Sequence, residues 1–252
     1  MSTPNTNKFQ NLTFADFRRL AKDETLSSHE KTGFPDSYRA NKETTIFADI
    51  NTKLINLNRS EQTILDIGSG CGALTFLLIE QSLSNNNKLI LVDSPEMLSH
   101  LPDAPNLVKI PAYYPNDCMW VFDKYNGKIN SILTYSVFHY VFEEGNLYKF
   151  IDLTLGLLTN GGEFLIGDVP NISQRKRFFA SVTGVKFHQE FMNTQEAPEV
   201  EFNRIETGQI DDAVLISIML RARQAGFDAY ILPQSLDLPM ANRREDILIK
   251  RP

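Results

Sequence analysis

The residues with the clearest chemical potential form a glycine-rich run that begins with a carboxylate, Asp66-Ile67-Gly68-Ser69-Gly70-Cys71-Gly72. Gly68 permits a sharp turn of the chain, and Gly70 and Gly72 let a ligand approach the backbone with no Cβ in the way. A helical pattern follows, and its N-terminus offers free N–H groups. The run therefore predicts a site for a nucleotide-like cofactor.

Two cofactor classes use such a turn. A dinucleotide fingerprint requires Gly-x-Gly-x-x-Gly or Ala, which Gly68, Gly70 and Ala73 satisfy. A site for a nucleoside methyl donor instead has an acidic residue two positions before the first glycine, here Asp66. This residue acts on the ammonium group of the donor's methionine-like part, directly or through water. A dinucleotide has no cation there, so a buried Asp66 would be costly. Asp93, which ends the next apolar run, can accept ribose hydroxyls in either class.

The elements around this turn alternate between apolar strands and helices. Short apolar runs near 64–67, 88–92, 107–110, 130–134 and 162–168 are separated by helical patterns. This alternation predicts a parallel sheet with helices on both faces. Before it, Thr13 and Asp16 have the spacing of a capping box, and apolar residues at helical spacing predict a second helix over about 41–57.

Four segments resemble class I S-adenosylmethionine-dependent methyltransferases. They are ILDIGSGCGALTFLL (64–78), LVDSPEML (91–98), ILTYSVFHYV (132–141) and LLTNGGEFLIGDV (157–169), in the order that the family has them. The resemblance covers about 60–250. It implies that the cofactor is S-adenosyl-L-methionine.

The resemblance also implies an α/β fold. We expect a Rossmann-like, seven-stranded, mostly parallel sheet with an antiparallel last strand, helices on both faces and a cap insertion. The runs at 228–232 and 246–250 fit the closing hairpin of that fold. We place an N-terminal helical segment or lid at 1–57, the methyltransferase domain at 58–252 and the cap at about 171–210.

The residues expected to bind the cofactor are Asp66, Gly68, Ser69, Gly70, Gly72, Asp93, Ser94, Met97 and Ser136. In this set Met97 stands where an apolar side chain packs on adenine. The sequence departs from the family after the third strand, where an acidic residue often lies near adenine and this chain has Pro111-Ala112-Tyr113-Tyr114. A tyrosine face, a backbone amide or Asp117 can serve there instead.

The acceptor is expected at the loops that follow the strands. His139 is the candidate general base, since an imidazole has a suitable pKa; the alternative is a packed histidine that only orients its loop. Tyr38, Asp168 and His188 are weaker candidates, and His29 and His100 are expected at the surface. The candidate substrate-binding residues are Tyr38, Arg39, Asp168, Arg175, Arg177, His188, Arg243 and Arg244.

The basic residues of these loops suggest an anionic acceptor, such as a phosphorylated or nucleotide-linked sugar. The alternative is that Arg175-Lys176-Arg177 is a solvated helix face. Residues 30–43 also resemble a segment of bacterial methyltransferases associated with surface-polysaccharide modification. The resulting hypothesis is in-line methyl transfer to a small acceptor, with oxygen favoured. The alternatives are a nicotinamide-dependent oxidoreductase and a non-catalytic S-adenosylmethionine-binding regulatory module.

Composition narrows the class of protein further. The 252 residues carry a formal net charge of −6, which argues against the broad basic surface of a nucleic-acid-binding protein. The two cysteines and four histidines show no metal-ligand spacing, so no metal is expected. No signal-peptide pattern or membrane-spanning apolar run is visible. A cytoplasmic location is therefore expected.

Overall fold

The computed structural model describes residues 12–35 and 41–252, in which seven strands form one sheet. The order across the sheet is β3-β2-β1-β4-β5-β7-β6. The strands are β1 (Thr63–Ile67), β2 (Lys88–Asp93), β3 (Leu107–Pro111), β4 (Ile129–Tyr135), β5 (Leu158–Pro170), β6 (Asp228–Pro233) and β7 (Arg244–Lys250).

The central strands pair in parallel, as their continuous apolar runs predict. In β1, Asp66 pairs with Leu91 of β2 on one side and with Leu133 of β4 on the other. Strand order reverses about β1, since β2 and β4 flank it and the chain continues outward in both directions. In sheets of this kind ligands bind beyond the carboxyl ends of the strands at such a point.

The last two strands close the sheet as an antiparallel pair. β7 runs antiparallel to both β5 and β6, with Ile247 paired to Ile166 on one side and to Ile231 on the other. The predicted closing hairpin and the predicted Rossmann-like sheet are therefore confirmed. This antiparallel strand brings the loop between β6 and β7 to the same edge as the carboxyl ends of β4 and β5.

Helices cover both faces of the sheet. Alternate strand residues point to opposite faces, and each face has its own apolar core, with Ile64 and Leu91 in one and Leu65 and Ile90 in the other. The helices are α1 (Phe14–Lys22), α2 (Ser28–Lys31), α3 (Glu43–Lys53), α4 (Ala73–Ser84), α5 (Pro95–Leu98), α6 (Trp120–Tyr125), α7 (Phe138–Glu144), α8 (Leu147–Leu155), α9 (Ile172–Phe179), α10 (Val182–Met192) and α11 (Asp212–Gln224).

The N-terminal helices begin at side-chain caps. The predicted box of Thr13 and Asp16 starts α1, with the Thr13 hydroxyl accepting from the Asp16 N–H at 3.3 Å. A second box, between Ser27 and Glu30, starts α2. The helix predicted over 41–57 is α3 followed by a short 3-10 turn. No helix in the described part of the chain is long and apolar enough to span a membrane.

The predicted cap follows β5. It consists of α9 and α10, and then of residues 193–211, in which the structure has no helix or strand. The division into an N-terminal segment, a domain and a cap remains a prediction.

Candidate active site

A deep cleft lies beyond the carboxyl ends of β1, β2 and β4, with an empty space of about 1160 Å3 that includes its open mouth. Its floor is the glycine turn. Its walls are mostly apolar and aromatic, as is usual for sites that bind a nucleoside. The N-terminal segment also lines the cleft, through Phe14, Phe17, His29, Thr32 and Phe34.

The glycine turn needs its glycines for two separate reasons. Gly68 and Gly70 have φ angles of +72° and +63°, which other residues adopt only with strain. A Cβ on Gly68 would lie 2.6 Å from Val137, and one on Gly70 would lie 2.9 Å from Thr32. Gly68, Ser69, Gly70 and Gly72 all line the cleft, as expected of cofactor-binding residues.

Asp66 lies in β1, two positions before Gly68, and is 5% exposed; it is not among the residues that line the cleft. No described residue donates a hydrogen bond to its carboxylate or pairs with it as a cation. Burial, and then the nearby charge of Asp93, raise the pKa of Asp66 to about 8. A buried carboxylate without a donor is costly. Its surroundings therefore suit a cation brought by a ligand.

Asp93 ends β2 and faces the cleft. Its Oδ2 accepts from the Gly70 N–H at 2.8 Å and its Oδ1 from the Ser94 N–H at 2.6 Å. Burial raises the pKa of Asp93 to about 6, although both hydrogen bonds act to lower it. Two carboxylates on neighbouring strand ends thus meet the two ends of the glycine turn.

The far wall of the cleft beside β2 and β3 is flat and apolar. Met97 and Tyr113 line it, and the ring of Phe14 packs on Tyr113 with centroids 4.9 Å apart. Asp117 is exposed and bonded to the Tyr113 N–H, and it does not reach the cleft. Ser94 is fully buried, and its hydroxyl caps α5 by accepting from Met97. Ser94 does not line the cleft, and its role in binding the cofactor stays a prediction.

Helix α1 lies at the cleft, which its Phe14 and Phe17 help to line. Arg18 makes two hydrogen bonds of 2.9 Å with Glu96 of α5. The neighbouring Phe17 packs edge to face on Tyr140 of α7, at a centroid distance of 5.0 Å. Adjacent residues of α1 therefore contact the helices that follow β2 and β4.

The ends of β4 and β5 carry a polar cluster. Ser136 and Asp168 both have a φ of +60°, and the Ser136 hydroxyl lies 2.5 Å from Asp168 Oδ2. Arg244 of β7 donates to the same oxygen at 2.9 Å. Non-glycine residues with positive φ concentrate at functional sites. Ser136 lines the cleft, so the cluster marks the edge where an acceptor would enter.

A buried ion pair supports this cluster from below. One carboxylate oxygen of Asp246 accepts a hydrogen bond of 2.8 Å from the Asp168 N–H. The other Asp246 oxygen lies 2.7 Å from Lys53 of α3, and Asp246 is fully buried. Gln234 bridges the two carboxylates. The position of Asp168 thus depends on an ion pair that the sequence did not reveal.

A small cavity adjoins this corner. Its empty space is about 300 Å3, and it shares Phe34 and Tyr135 with the cleft. The remaining lining residues are Ile46, Asp168, Gln234, Leu238, Pro239 and Met240. The cavity thus joins apolar side chains to the polar pair of Asp168 and Gln234.

His139 is close to the cluster but does not line the cleft. Its Nδ1 is buried without a hydrogen-bond partner, and its ring packs on Tyr140 at a centroid distance of 3.7 Å. Burial, and then the charge of Arg244, lower the pKa of His139 to about 4, against the opposing effect of Asp168. These surroundings favour the reading of a packed histidine that orients its loop.

The basic residues of the cap lie apart from the cleft. Arg177 pairs with Asp212 and Lys176 with Glu206, while Arg175 packs over the ring of Phe179. None of these lines the cleft, and neither do His188 and Arg243. Arg243 instead bonds through its backbone carbonyl to the N–H of Asn171. Tyr38 and Arg39 lie outside the described residues.

Two site residues were missed from the sequence. His29, expected at the surface, lines the cleft together with Glu43, and its Nδ1 lies 2.9 Å from Glu43 Oε1. His100 is exposed, as expected. No local signal links His29 to Glu43, since the contact arises only when α2 packs over the glycine turn. No group of three metal-ligating side chains is found in residues 12–35 and 41–252.

The sequence matches no known family model and no curated protein. Its fold resembles those of several solved methyltransferases. A putative S-adenosyl-L-methionine-dependent methyltransferase from Methanococcus maripaludis is 14% identical, with a TM-score of 0.53 over 100% of this chain and 97% of that one. The plantazolicin methyltransferase BpumL, in complex with a monoazolic desmethylPZN analog and SAH, is 14% identical, with a TM-score of 0.56 over 98% of each chain.

The CurJ carbon methyltransferase is 13% identical, with a TM-score of 0.55 over 97% of this chain. The present chain spans 65% of that protein's length. At these identities the likeness concerns the fold. The chain has the seven-stranded Rossmann-like fold of these methyltransferases.

Proposed function

We propose that the chain is an S-adenosylmethionine-dependent methyltransferase. The observation that carries this proposal is Asp66, a buried carboxyl group with no donor among the described residues, at the end of β1 just before the glycine turn that lines the cleft. An ammonium group of an aminoacyl nucleoside supplies the missing cation. A nicotinamide dinucleotide has no positive charge at this place, so it would leave the carboxyl group protonated and without an ionic partner.

The rest of the cleft fits the same ligand. Asp93 can accept ribose hydroxyls, which would take over from the Gly70 N–H that now occupies Oδ2. Met97 and Tyr113 offer apolar surfaces for an adenine ring. The bound cofactor supplies a methyl group on a positively charged sulfur, which is already a good leaving group. The protein's task is therefore to position an acceptor in line and to exclude water.

The acceptor is proposed to enter at the corner of Ser136 and Asp168. Two hydrogen-bonded residues in the left-handed region form a rigid polar edge there. We keep oxygen as the favoured methylated atom, since Asp168 can orient a hydroxyl. An anionic or sugar-linked acceptor, as in polysaccharide modification, gains less support, because Lys176 and Arg177 are already paired with carboxylates.

The first test is ligand binding. Saturating S-adenosylhomocysteine, at about a hundred times its dissociation constant, should stabilise the protein by about 2.7 kcal/mol, and NAD should have no effect. Asp66→Asn should weaken binding about 10- to 100-fold, the range for a charged hydrogen bond. Asp103→Asn is the matched control, because Asp103 is 97% exposed and far from the cleft lining.

The second test is transfer of a labelled methyl group. The acceptor panel should contain sugar phosphates, nucleotide-linked sugars and neutral hydroxyl and amine compounds of similar size. Label in any product, lost in Asp66→Asn and kept in Asp103→Asn, supports the enzyme. Stabilisation by NAD but not by S-adenosylhomocysteine would overturn the assignment. Binding of S-adenosylhomocysteine without transfer to any member of a broad panel would favour the regulatory module.

A further inference from the structure

The most informative group left unused so far is the histidine of the N-terminal segment. His29 lies on α2, and its side chain is 18% exposed. The C-terminal end of the same helix packs on the glycine turn: the methyl group of Thr32 is the nearest neighbour that a Cβ on Gly70 would meet, at 2.9 Å. The Thr32 hydroxyl donates to the His29 carbonyl at 2.9 Å. This bond ties the backbone of His29 to the residue that packs on the glycine turn, and His29 itself lines the cleft.

Its partner is a buried carboxylate. Glu43, the first residue of α3, is 8% exposed, and its Oε1 lies 2.9 Å from His29 Nδ1. That oxygen is buried and has no aligned hydrogen-bond donor in the described part of the chain. A small rotation of the imidazole would align the pair. A carboxylate at Nδ1 fixes the tautomer that leaves Nε2 as an acceptor.

The geometry points to His29 as the general base of the proposed transfer, with Glu43 as its positioning residue. This proposal rests on the proposed function. His29 lines the cleft where a ligand on the glycine turn would lie, whereas His139 does not line it. A buried carboxylate beside a cleft histidine matches the arrangement of base and orienting group that proton transfer requires.

The proton step is balanced as follows for a hydroxyl acceptor. The acceptor oxygen forms its bond to the methyl carbon while the carbon–sulfur bond breaks, and the bonding pair stays on sulfur as a neutral thioether. His29 Nε2 takes the hydroxyl proton in the same step. The resulting imidazolium is stabilised by the Glu43 carboxylate and then releases its proton to water.

Several other titratable groups face the same space, and the test must separate them. Those lining the cleft in the described part of the chain are Glu43, Asp93, Tyr113, Tyr114, Tyr135, Tyr140 and Glu144. Asp66 lies in β1 and does not line the cleft, and Lys31 lies on the same helix as His29. The readout therefore has to be assigned to the imidazole itself.

The first experiment is NMR titration of the His29 imidazole in the full chain, assigned by its loss in His29→Gln. With S-adenosylmethionine bound, the sulfonium charge should lower the titration midpoint of His29 relative to the complex with S-adenosylhomocysteine, which lacks that charge. Glu43→Gln should lower the midpoint in both complexes. Equal midpoints in the two complexes would overturn the proposal, whatever acceptor is used.

The second experiment uses whichever compound takes up label in the acceptor panel. His29→Gln should lower kcat by about 100-fold or more, the usual contribution of a general base, and should leave the affinity for S-adenosylhomocysteine within about twofold. In His29→Gln the decrease of kcat at acidic pH should also disappear. His100→Gln is the matched control, since His100 is exposed, does not line the cleft, and its imidazole hydrogen-bonds to the Ala21 carbonyl.

The outcomes separate the two proposals. If wild-type protein does not bind S-adenosylhomocysteine, the methyltransferase assignment itself fails. If it binds and His29→Gln keeps the wild-type kcat, only the assignment of the base fails. If His29→Gln loses cofactor affinity while kcat at saturation is unchanged, His29 holds the N-terminal segment closed and is not the base.

Discussion

Raising the pH from about 6 to about 8 should strengthen the binding of S-adenosylhomocysteine to the free protein. Burial and Asp93 raise the pKa of Asp66 to about 8, so this carboxyl is mostly protonated at neutral pH. An ammonium ligand binds the ionised form, and binding must therefore expel a proton. The ordinary pKa of 3.8 would give no such effect in this range.

The size of the effect follows from the ionised fraction of Asp66. With a pKa of about 8 this fraction is about 1% at pH 6, about 9% at pH 7 and about 50% at pH 8. The dissociation constant should therefore fall about 50-fold across the window, equivalent to about 2.3 kcal/mol. Asp93, with a pKa of about 6, adds about a twofold change in the same direction.

The same pKa shift predicts the opposite trend for the free protein. Folded Asp66 holds a proton that the unfolded chain releases near its ordinary pKa of 3.8. The unfolded state thus binds fewer protons, so stability falls as the pH rises from about 4 to about 8 and is level above that. Asp66→Asn should remove the dependence between about pH 6 and pH 8, where Asp93, with a pKa of about 6, is already largely ionised.

Isothermal titration calorimetry in two buffers of different ionisation enthalpy measures the dissociation constant of the ligand and the number of protons released when it binds. We expect about one proton released per ligand bound near pH 6 to 7. Asp66→Asn should bind with little pH dependence, and Asp103→Asn should keep the full slope. The measurements stop near pH 8, because at higher pH the ligand's own amino group loses its proton. A wild-type affinity that is flat with pH, or a slope that survives Asp66→Asn, would refute the role given to Asp66.

Three further predictions concern the frame around the site. Gly68→Ala should lower the free energy of unfolding by about 1–3 kcal/mol in urea titrations, from its positive φ and the clash with Val137; a loss under about 0.5 kcal/mol would contradict this account of the turn. Lys53→Met should lower the free energy of unfolding by about 3–5 kcal/mol, because it leaves the buried Asp246 carboxylate without its cation. Arg221→Met, which breaks the exposed pair with Asp152, should lower it by less than about 1 kcal/mol. Similar losses in the two variants would show that burial of the ion pair is not decisive. Glu96→Gln weakens the contact that joins α1 to α5 beside the cleft, and it should raise the dissociation rate of S-adenosylhomocysteine about two- to fivefold in stopped-flow measurements; an unchanged rate would mean that α1 does not control exit.

Much of the fold was predictable because its signals are local. The alternation of apolar runs and helices fixed the strands to within a few residues, and the box at Thr13 and Asp16 marked the start of α1. Short helices were missed, since α6 and α7 are too brief to show a helical period. The place of the glycine turn was predictable for a related reason: Asp66, Gly68 and Asp93 lie at the carboxyl ends of β1 and β2, which meet at one edge of the sheet. Their binding of the cofactor stays a prediction.

The acceptor side was harder to predict, because it depends on contacts between distant segments. The pairing of Lys53 with Asp246, and of His29 with Glu43, arises only from tertiary packing. The basic run of the cap is a second example. It suggested an anion site, but Asp212, the acid that pairs with Arg177, comes from a helix further along the chain. The anionic acceptor stays a prediction.

The most direct measurement of the central claim is a crystal structure of the protein with S-adenosylhomocysteine. The account predicts the ligand's amino group within about 3 Å of the Asp66 carboxylate, or joined to it through one water. It also predicts the ribose hydroxyls on Asp93 and the adenine against Met97. A cleft that stays empty at saturating ligand, or a ligand whose amino group points away from Asp66, would contradict it.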